Sequence, residues 1–180
     1  MTTILARKLD NGDVEVACDS LVTGHDQHEL GISKIFARNG VVYGVAGALV
    51  CSTQLRHADL PKPPENLSNP DEWVTNKLTP KIRAVLNQSF KFMNDGFYHM
   101  QILAVVHGEI YQIDSIGGWL KRTDGLYNIG SGGGYARAVL EAGGTMQKAL
   151  EVAGKLDSYS GGPYTIRLVS KMLAEDATKA

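Results

Sequence analysis

The chain has 180 residues, 18 basic and 19 acidic, with a formal net charge of −1. A chain of this length buries roughly 70% of its unfolded surface, and its charge balance offers nothing to nucleic acid or an anionic membrane. Cys18 and Cys51 are too few for a disulfide framework, no apolar run is long enough to span a membrane, and Arg7, Lys8, Asp10 and Asp13 interrupt any leader-like start, so a reducing, cytosolic setting is expected.

Residues 3–9 read as a strand and Asp10-Asn11-Gly12 as a turn. Val14, Val16 and Cys18 then alternate with Asp13, Glu15 and Ala17, the period of a half-buried strand. A second hairpin runs through 34–38, Asn39-Gly40 and 41–46, since Asn-Gly between apolar runs is a strong hairpin signal. Residues 48–57 read as a helix, 61–70 as a polar, Pro-rich loop, and Asp71 opens a further helical segment. Thr79-Pro80 has the form of a cap and first-turn proline for a longer helix, with Ile82, Val85, Leu86, Phe90 and Met93 on its apolar face. Strands over 101–106, 109–114 and 126–129 come next, followed by helices over 135–142 and 145–156. A last strand, 164–169, leads into a short polar tail. Two antiparallel sheets packed together, with helices on both outer faces, bury all of these stripes. The expected fold is therefore an α+β, four-layer αββα sandwich. With no repeat, low-complexity tract or linker, residues 1–180 are expected to form one domain.

The chemistry begins at Met1-Thr2-Thr3. A small residue after the initiator permits removal of Met1, which leaves Thr2 with a free α-amine of reference pKa about 7.7–8.0. Such an amine can take the proton of its own residue's hydroxyl and so activate it as a nucleophile. Further along come Ala17-Cys18-Asp19-Ser20, Ser33-Lys34-Ile35-Phe36, Tyr43-Gly44-Val45-Ala46-Gly47-Ala48, Ile129-Gly130-Ser131-Gly132-Gly133 and Asp157-Ser158-Tyr159-Ser160-Gly161-Gly162. Taken singly, these segments read as strand-end turns, a surface lysine, a flexible glycine loop and a helix C-terminus. The glycine run also reads as an anion nest, but no Gly-Lys-Ser/Thr follows it, which argues against a P-loop.

In this order and at these spacings, the segments resemble the proteasome β-subunit family, including the HslV-type peptidases, from Thr2 to about Val169. The resemblance implies the N-terminal-nucleophile hydrolase fold and a threonine peptidase. It implies that Thr2 is the nucleophile, Lys34 the cation that lowers the amine's pKa, and Asp19 the carboxylate that pairs with Lys34. It makes the backbone N–H of Gly47 the oxyanion donor, Ser131 the hydroxyl that bonds the amine, and Asp157 and Ser160 the residues that hold that arrangement. It also sets Val45 at the floor of the primary specificity pocket. Ile32 and Leu49 are then walls and Thr23 a further substrate contact, so cleavage after hydrophobic residues is expected.

Two departures from the family pattern stand out. The interval from Thr2 to Asp19 is one residue longer, with the extra residue near Asn11-Gly12 at Asp13 or a bulge. Thr2 also stands at the start without a propeptide, as in the HslV type, whereas the Asp157-x-x-Ser160-Gly161-Gly162 segment is closer to the proteasome type, which leaves ring order open. The implied partners are a peptide or unfolded protein substrate, further copies in a homo-oligomeric ring and an ATP-dependent unfoldase. Two other readings are a small-molecule amidase and a non-catalytic ring subunit. His25 and His28 share a loop but lack a third ligand, so no metal or cofactor is expected.

Overall fold

The computed structural model describes residues 2–23, 27–29, 33–90 and 100–178. A four-stranded antiparallel sheet has the order β10-β1-β2-β11, formed by β1 (Ile4–Lys8), β2 (Val14–Cys18), β10 (Leu126–Ile129) and β11 (Thr165–Leu168). A five-stranded antiparallel sheet runs β5-β6-β7-β8-β9. Its strands are β5 (Ile35–Arg38), β6 (Val41–Gly47), β7 (Met100–Val106), β8 (Glu109–Ile113) and β9 (Trp119–Leu120). A short ribbon, β3 (Leu21–Thr23) with β4 (Gln27–Glu29), stands apart and was not foreseen.

Strand alternation sends one set of side chains between the sheets and the other toward helices. Ile4, Val16, Val42, Ala46, Leu103 and Ile129 belong to the core between the sheets. Tyr43, Val45, Ile102 and Tyr111 face the opposite way. They meet α1 (Leu49–His57) and the helix made of α2 (Pro70–Trp73), a π-helical turn (Val74–Leu78) and α3 (Thr79–Phe90). Leu5, Ala17 and Leu126 pack beneath α4 (Gly133–Glu141) and α5 (Met146–Leu156). The result is the αββα sandwich. Among the described residues, no helix is long and apolar enough to cross a membrane.

Local chemistry explains most element ends. Asn39 and Gly40 both have positive φ, which the tight β5–β6 turn requires. Asn69 caps the helix at Pro70 by accepting the N–H of Glu72, and Thr145 caps α5 by accepting that of Lys148.

Two expectations need correction and a third is not reached by the description. Thr79-Pro80 does not start a helix. Thr79 lies inside a continuous one, its hydroxyl donating to Thr75 O, and the π-turn just before Pro80 shifts the hydrogen-bond ladder where that residue has no N–H to give. The polar tail is a helix, α6 (Val169–Ala177), whose Val169 and Met172 enter the core between the sheets. Met93, expected on the face of α3, lies outside the described residues.

Candidate active site

Thr2 and Thr3 lie just before β1, and they diverge. Thr2 lines a cleft of about 590 Å³ together with Ala46, Gly47, Gln101, Gly130 and Ser131. Thr3 is fully buried, and its hydroxyl lies 2.7 Å from Ser160 Oγ. Ser160 commits its single hydrogen to Asp157 Oδ2 at 2.6 Å, so Thr3 is the donor to Ser160. Of the two threonines, Thr2 is the one on the cleft.

Beneath this pair sits a buried ion pair. Lys34 Nζ donates to Asp19 Oδ1 at 2.8 Å and to Leu21 O at 2.7 Å, and the two side chains are 6% and 0% exposed. Asp19 Oδ1 also accepts the N–H of Thr3 at 2.8 Å, while Oδ2 accepts those of Leu21 and Gly161, each at 3.2 Å. Four donors therefore satisfy this carboxylate, the condition under which a buried pair is tolerable. The β1–β2 pairing supports this placement. The hairpin keeps Ile4 opposite Cys18, and Asp19 N–H donates back to Thr3 O.

On the other side of Thr2, Ser131 Oγ donates to Asp157 Oδ2 at 2.7 Å, so one carboxylate oxygen gathers Ser131 and Ser160. The glycines here answer to close approach. A Cβ on Gly130, whose φ is +84°, would stand 1.9 Å from the Thr2 carbonyl oxygen, and one on Gly132 would stand 2.0 Å from Thr3 Oγ1. Gly47 ends β6, and Ala48 is the N-cap of α1, so the Gly47 amide sits where a strand hands over to a helix N-terminus.

Of the residues named from the sequence, Thr2, Gly47 and Ser131 line this cleft, and Asp19, Lys34, Asp157 and Ser160 are bonded around it. Two of the expected specificity residues, Val45 and Leu49, are described with their side chains. Val45 is buried in the helix-facing cluster, because strand alternation turns it toward Cys51 and Leu55, and it does not line the described cleft. Leu49 is 48% exposed on the first turn of α1 and does not line it either. Thr23 ends β3, with its side chain outside the description, and Ile32 and His25 lie outside the described residues. The described apolar lining comes from Ala46, Ala48 and Met100.

Sequence reasoning missed the roles of Thr3, Gly161 and Gln101. For Gln101 a signal existed, as a lone polar, exposed residue in an otherwise buried strand. Among the described residues, no group of three or more His, Cys, Asp or Glu could hold a metal ion. Burial pushes both thiols up, Cys51 to about 11, so neither offers a ready thiolate.

No protein-family model matches the sequence, and no curated protein matches it. The fold does match solved structures. BPH from Thiobacillus denitrificans aligns with TM-score 0.68 at 18% identity, over 92% of this chain and 96% of that one; a second structure shows that protein in complex with epoxomicin. Eukaryotic HslV from Trypanosoma brucei aligns with TM-score 0.64 at 23% identity, over 92% and 98%. Anbu (ancestral beta-subunit) from Yersinia bercovieri aligns with TM-score 0.65 at 18% identity, over 92% and 80%. The chain thus shares the αββα sandwich fold of these solved structures.

Proposed function

We propose that the protein is a threonine peptidase that cuts peptides or unfolded proteins with Thr2 after loss of Met1. The observation that carries this reading is convergence. One cleft is lined by Thr2, Gly47 and Ser131, and the buried Lys34–Asp19 pair bonds to the residue that follows Thr2.

In this reading the Thr2 α-amine takes the proton from Oγ1, and Oγ1 attacks the scissile carbonyl carbon. The Lys34 ammonium disfavours a second positive charge nearby and keeps the amine a free base. The carbonyl's electron pair moves onto oxygen, where the Gly47 N–H meets it. The amine's proton passes to the leaving nitrogen as the C–N bond breaks, and water then cleaves the ester by the same route. Ser131 has given its hydrogen to Asp157, so it offers a lone pair to an amine N–H and orients the base. Asp157 and Ser160 fix Ser131 in that role.

Ala46, Ala48 and Met100 supply apolar surface in the cleft, which supports a preference for hydrophobic residues beside the cut bond. The active sites are proposed to be enclosed in a homo-oligomeric ring in the cytoplasm and fed by an ATP-driven unfoldase, since enclosure protects folded proteins from an open nucleophile. Epoxomicin, which the Thiobacillus denitrificans protein binds, is a suitable first probe.

The test is fluorogenic peptide hydrolysis beside light-scattering mass for wild type and Thr2→Ala. The expected outcome is an assembly of 19.5 kDa chains in both, with turnover in the wild type alone. Undiminished hydrolysis by Thr2→Ala contradicts the reading. Assemblies that never turn over a peptide point to a structural subunit, and turnover of small amides alone points to an amidase.

A further inference from the structure

We infer that Gln101 is a positioning residue that sets the gap between the nucleophile and the oxyanion donor; this rests on the threonine-peptidase reading. Gln101 lies on β7 and is exposed, while every other residue of that strand is buried. Its Oε1 accepts the N–H of Gly130 at 3.0 Å. Because a backbone N–H can only donate, this contact fixes which end of the carboxamide faces Gly130.

The two ends of the bond belong to different sheets. Gly130 follows β10 in the four-stranded sheet and is packed so tightly on Thr2 that a Cβ there would overlap the Thr2 carbonyl. Gln101 belongs to the five-stranded sheet. It pairs with Ala46, and its neighbour Met100 pairs with Gly47. A continuous line therefore runs from the Gly47 backbone across the β6–β7 ladder, through the Gln101 side chain to Gly130 and onto Thr2. All of these residues line the same cleft.

The core between the sheets is apolar, and apolar contact is non-directional, so it sets the sheets' spacing without fixing their offset at this edge. A hydrogen bond is directional and can fix it. The reaction requires that precision, because a misplacement of about 1 Å costs on the order of a hundredfold in rate.

The experiment compares wild type, Gln101→Leu and Gln101→Glu. Leucine keeps the bulk and removes the acceptor, whereas glutamate keeps an acceptor oxygen at the same reach. Gln101→Leu is expected to lower kcat by about ten- to a hundredfold with KM little changed. Hydrogen exchange in the peptide carrying Gly130 is expected to speed up, with the thermal midpoint near that of wild type. Gln101→Glu is expected to recover most of kcat. Its added negative charge should also move the acid limb of the pH–rate profile to higher pH, since it favours the protonated amine. Wild-type kcat in Gln101→Leu, or equal impairment of both variants, overturns the inference. If the wild type turns over nothing, the peptidase reading falls and the inference falls with it. With an active wild type, identical exchange at Gly130 in Gln101→Leu also overturns the inference, because the bond then holds nothing in place.

Discussion

Thr2, Lys34 and the cysteines carry the sharpest expectations at the scale of single residues. Thr2→Ser keeps the hydroxyl and the amine and should retain part of the hydrolysis, while Thr2→Ala should retain none. Lys34→Ala strands the buried Asp19 carboxylate, which costs about 3–5 kcal/mol when one partner of a buried pair is removed. Its loss of turnover must therefore be read beside urea unfolding, and in a double mutant with Thr2→Ala the rate losses should not add. Lys34→Arg should also fail, because a planar guanidinium does not fit where a compact ammonium donates to both Asp19 Oδ1 and Leu21 O. Thiol-alkylating reagents should leave peptide turnover intact, since Cys18 and Cys51 are buried and their thiols are held protonated; thiol-sensitive turnover would point away from Thr2. Ser131, Asp157 and Ser160 could be named only through the family resemblance, since their segments taken singly read as a glycine loop and a helix C-terminus. The contributions of Thr3 and Gly161 could not be named, because they reach Asp19 through backbone N–H groups that no residue type announces.

At the scale of elements, the sequence showed what is periodic and hid what is held from a distance. The hairpins and α5 were legible because alternation, Asn-Gly and the helical spacing of Met146, Ala149, Leu150, Ala153 and Leu156 are local signals. Helix α6 was not, because Leu168 ends a strand and begins a helix with no breaker between, and α6 has no cap in its own sequence. Its start is held by Asp13, whose Oδ2 accepts from Ser170 Oγ at 2.6 Å and whose Oδ1 accepts the Ser170 N–H at 3.2 Å. A residue beside the β1–β2 turn thus binds the first turn of a helix 157 positions away. Asp13→Ala should lower stability by about 1 kcal/mol, as loss of a helix cap does, and Asp13→Asn by less; equal urea midpoints for wild type and Asp13→Ala would contradict the assignment. A second clamp joins β10 to α4. Arg137 donates to Asp124 and to Leu126 O, and with the Leu126 N–H it holds the Asp124 carboxyl down at about 2. A depressed carboxylate stabilises above its unfolded value of 3.8, and that gain is lost as pH falls toward 2. Because Asp124 is 42% exposed, the contribution is that of a surface pair, ~0.2–1 kcal/mol. Arg137→Ala should flatten this part of the acid-unfolding curve.

The described residues form two packed sheets with one cleft at their strand ends, where Thr2, the proposed nucleophile, lies just before β1 of the four-stranded sheet and Gly47, the proposed oxyanion donor, ends β6 of the five-stranded one. Layer order was legible because each strand's two faces have distinct burial, and the helices follow in blocks. The packing of Val45 against the helical layer was not, because only the finished sheet orients a strand's alternation. Burial there predicts that Val45→Ala chiefly lowers stability, by roughly 1.5–3 kcal/mol for two buried methyl groups at ~0.8 kcal/mol each plus the cavity they leave, with less effect on peptide preference than a change at Met100. The central claim is that Thr2, freed of Met1, is the nucleophile. The most direct measurement is intact and peptide-level mass spectrometry of the native protein before and after treatment with a threonine-directed peptide electrophile. The expected result is a chain lacking Met1 that gains one adduct, located on Thr2 and absent from Thr2→Ala. A protein that hydrolyses peptides while retaining Met1, or that carries its adduct on another residue, would contradict it.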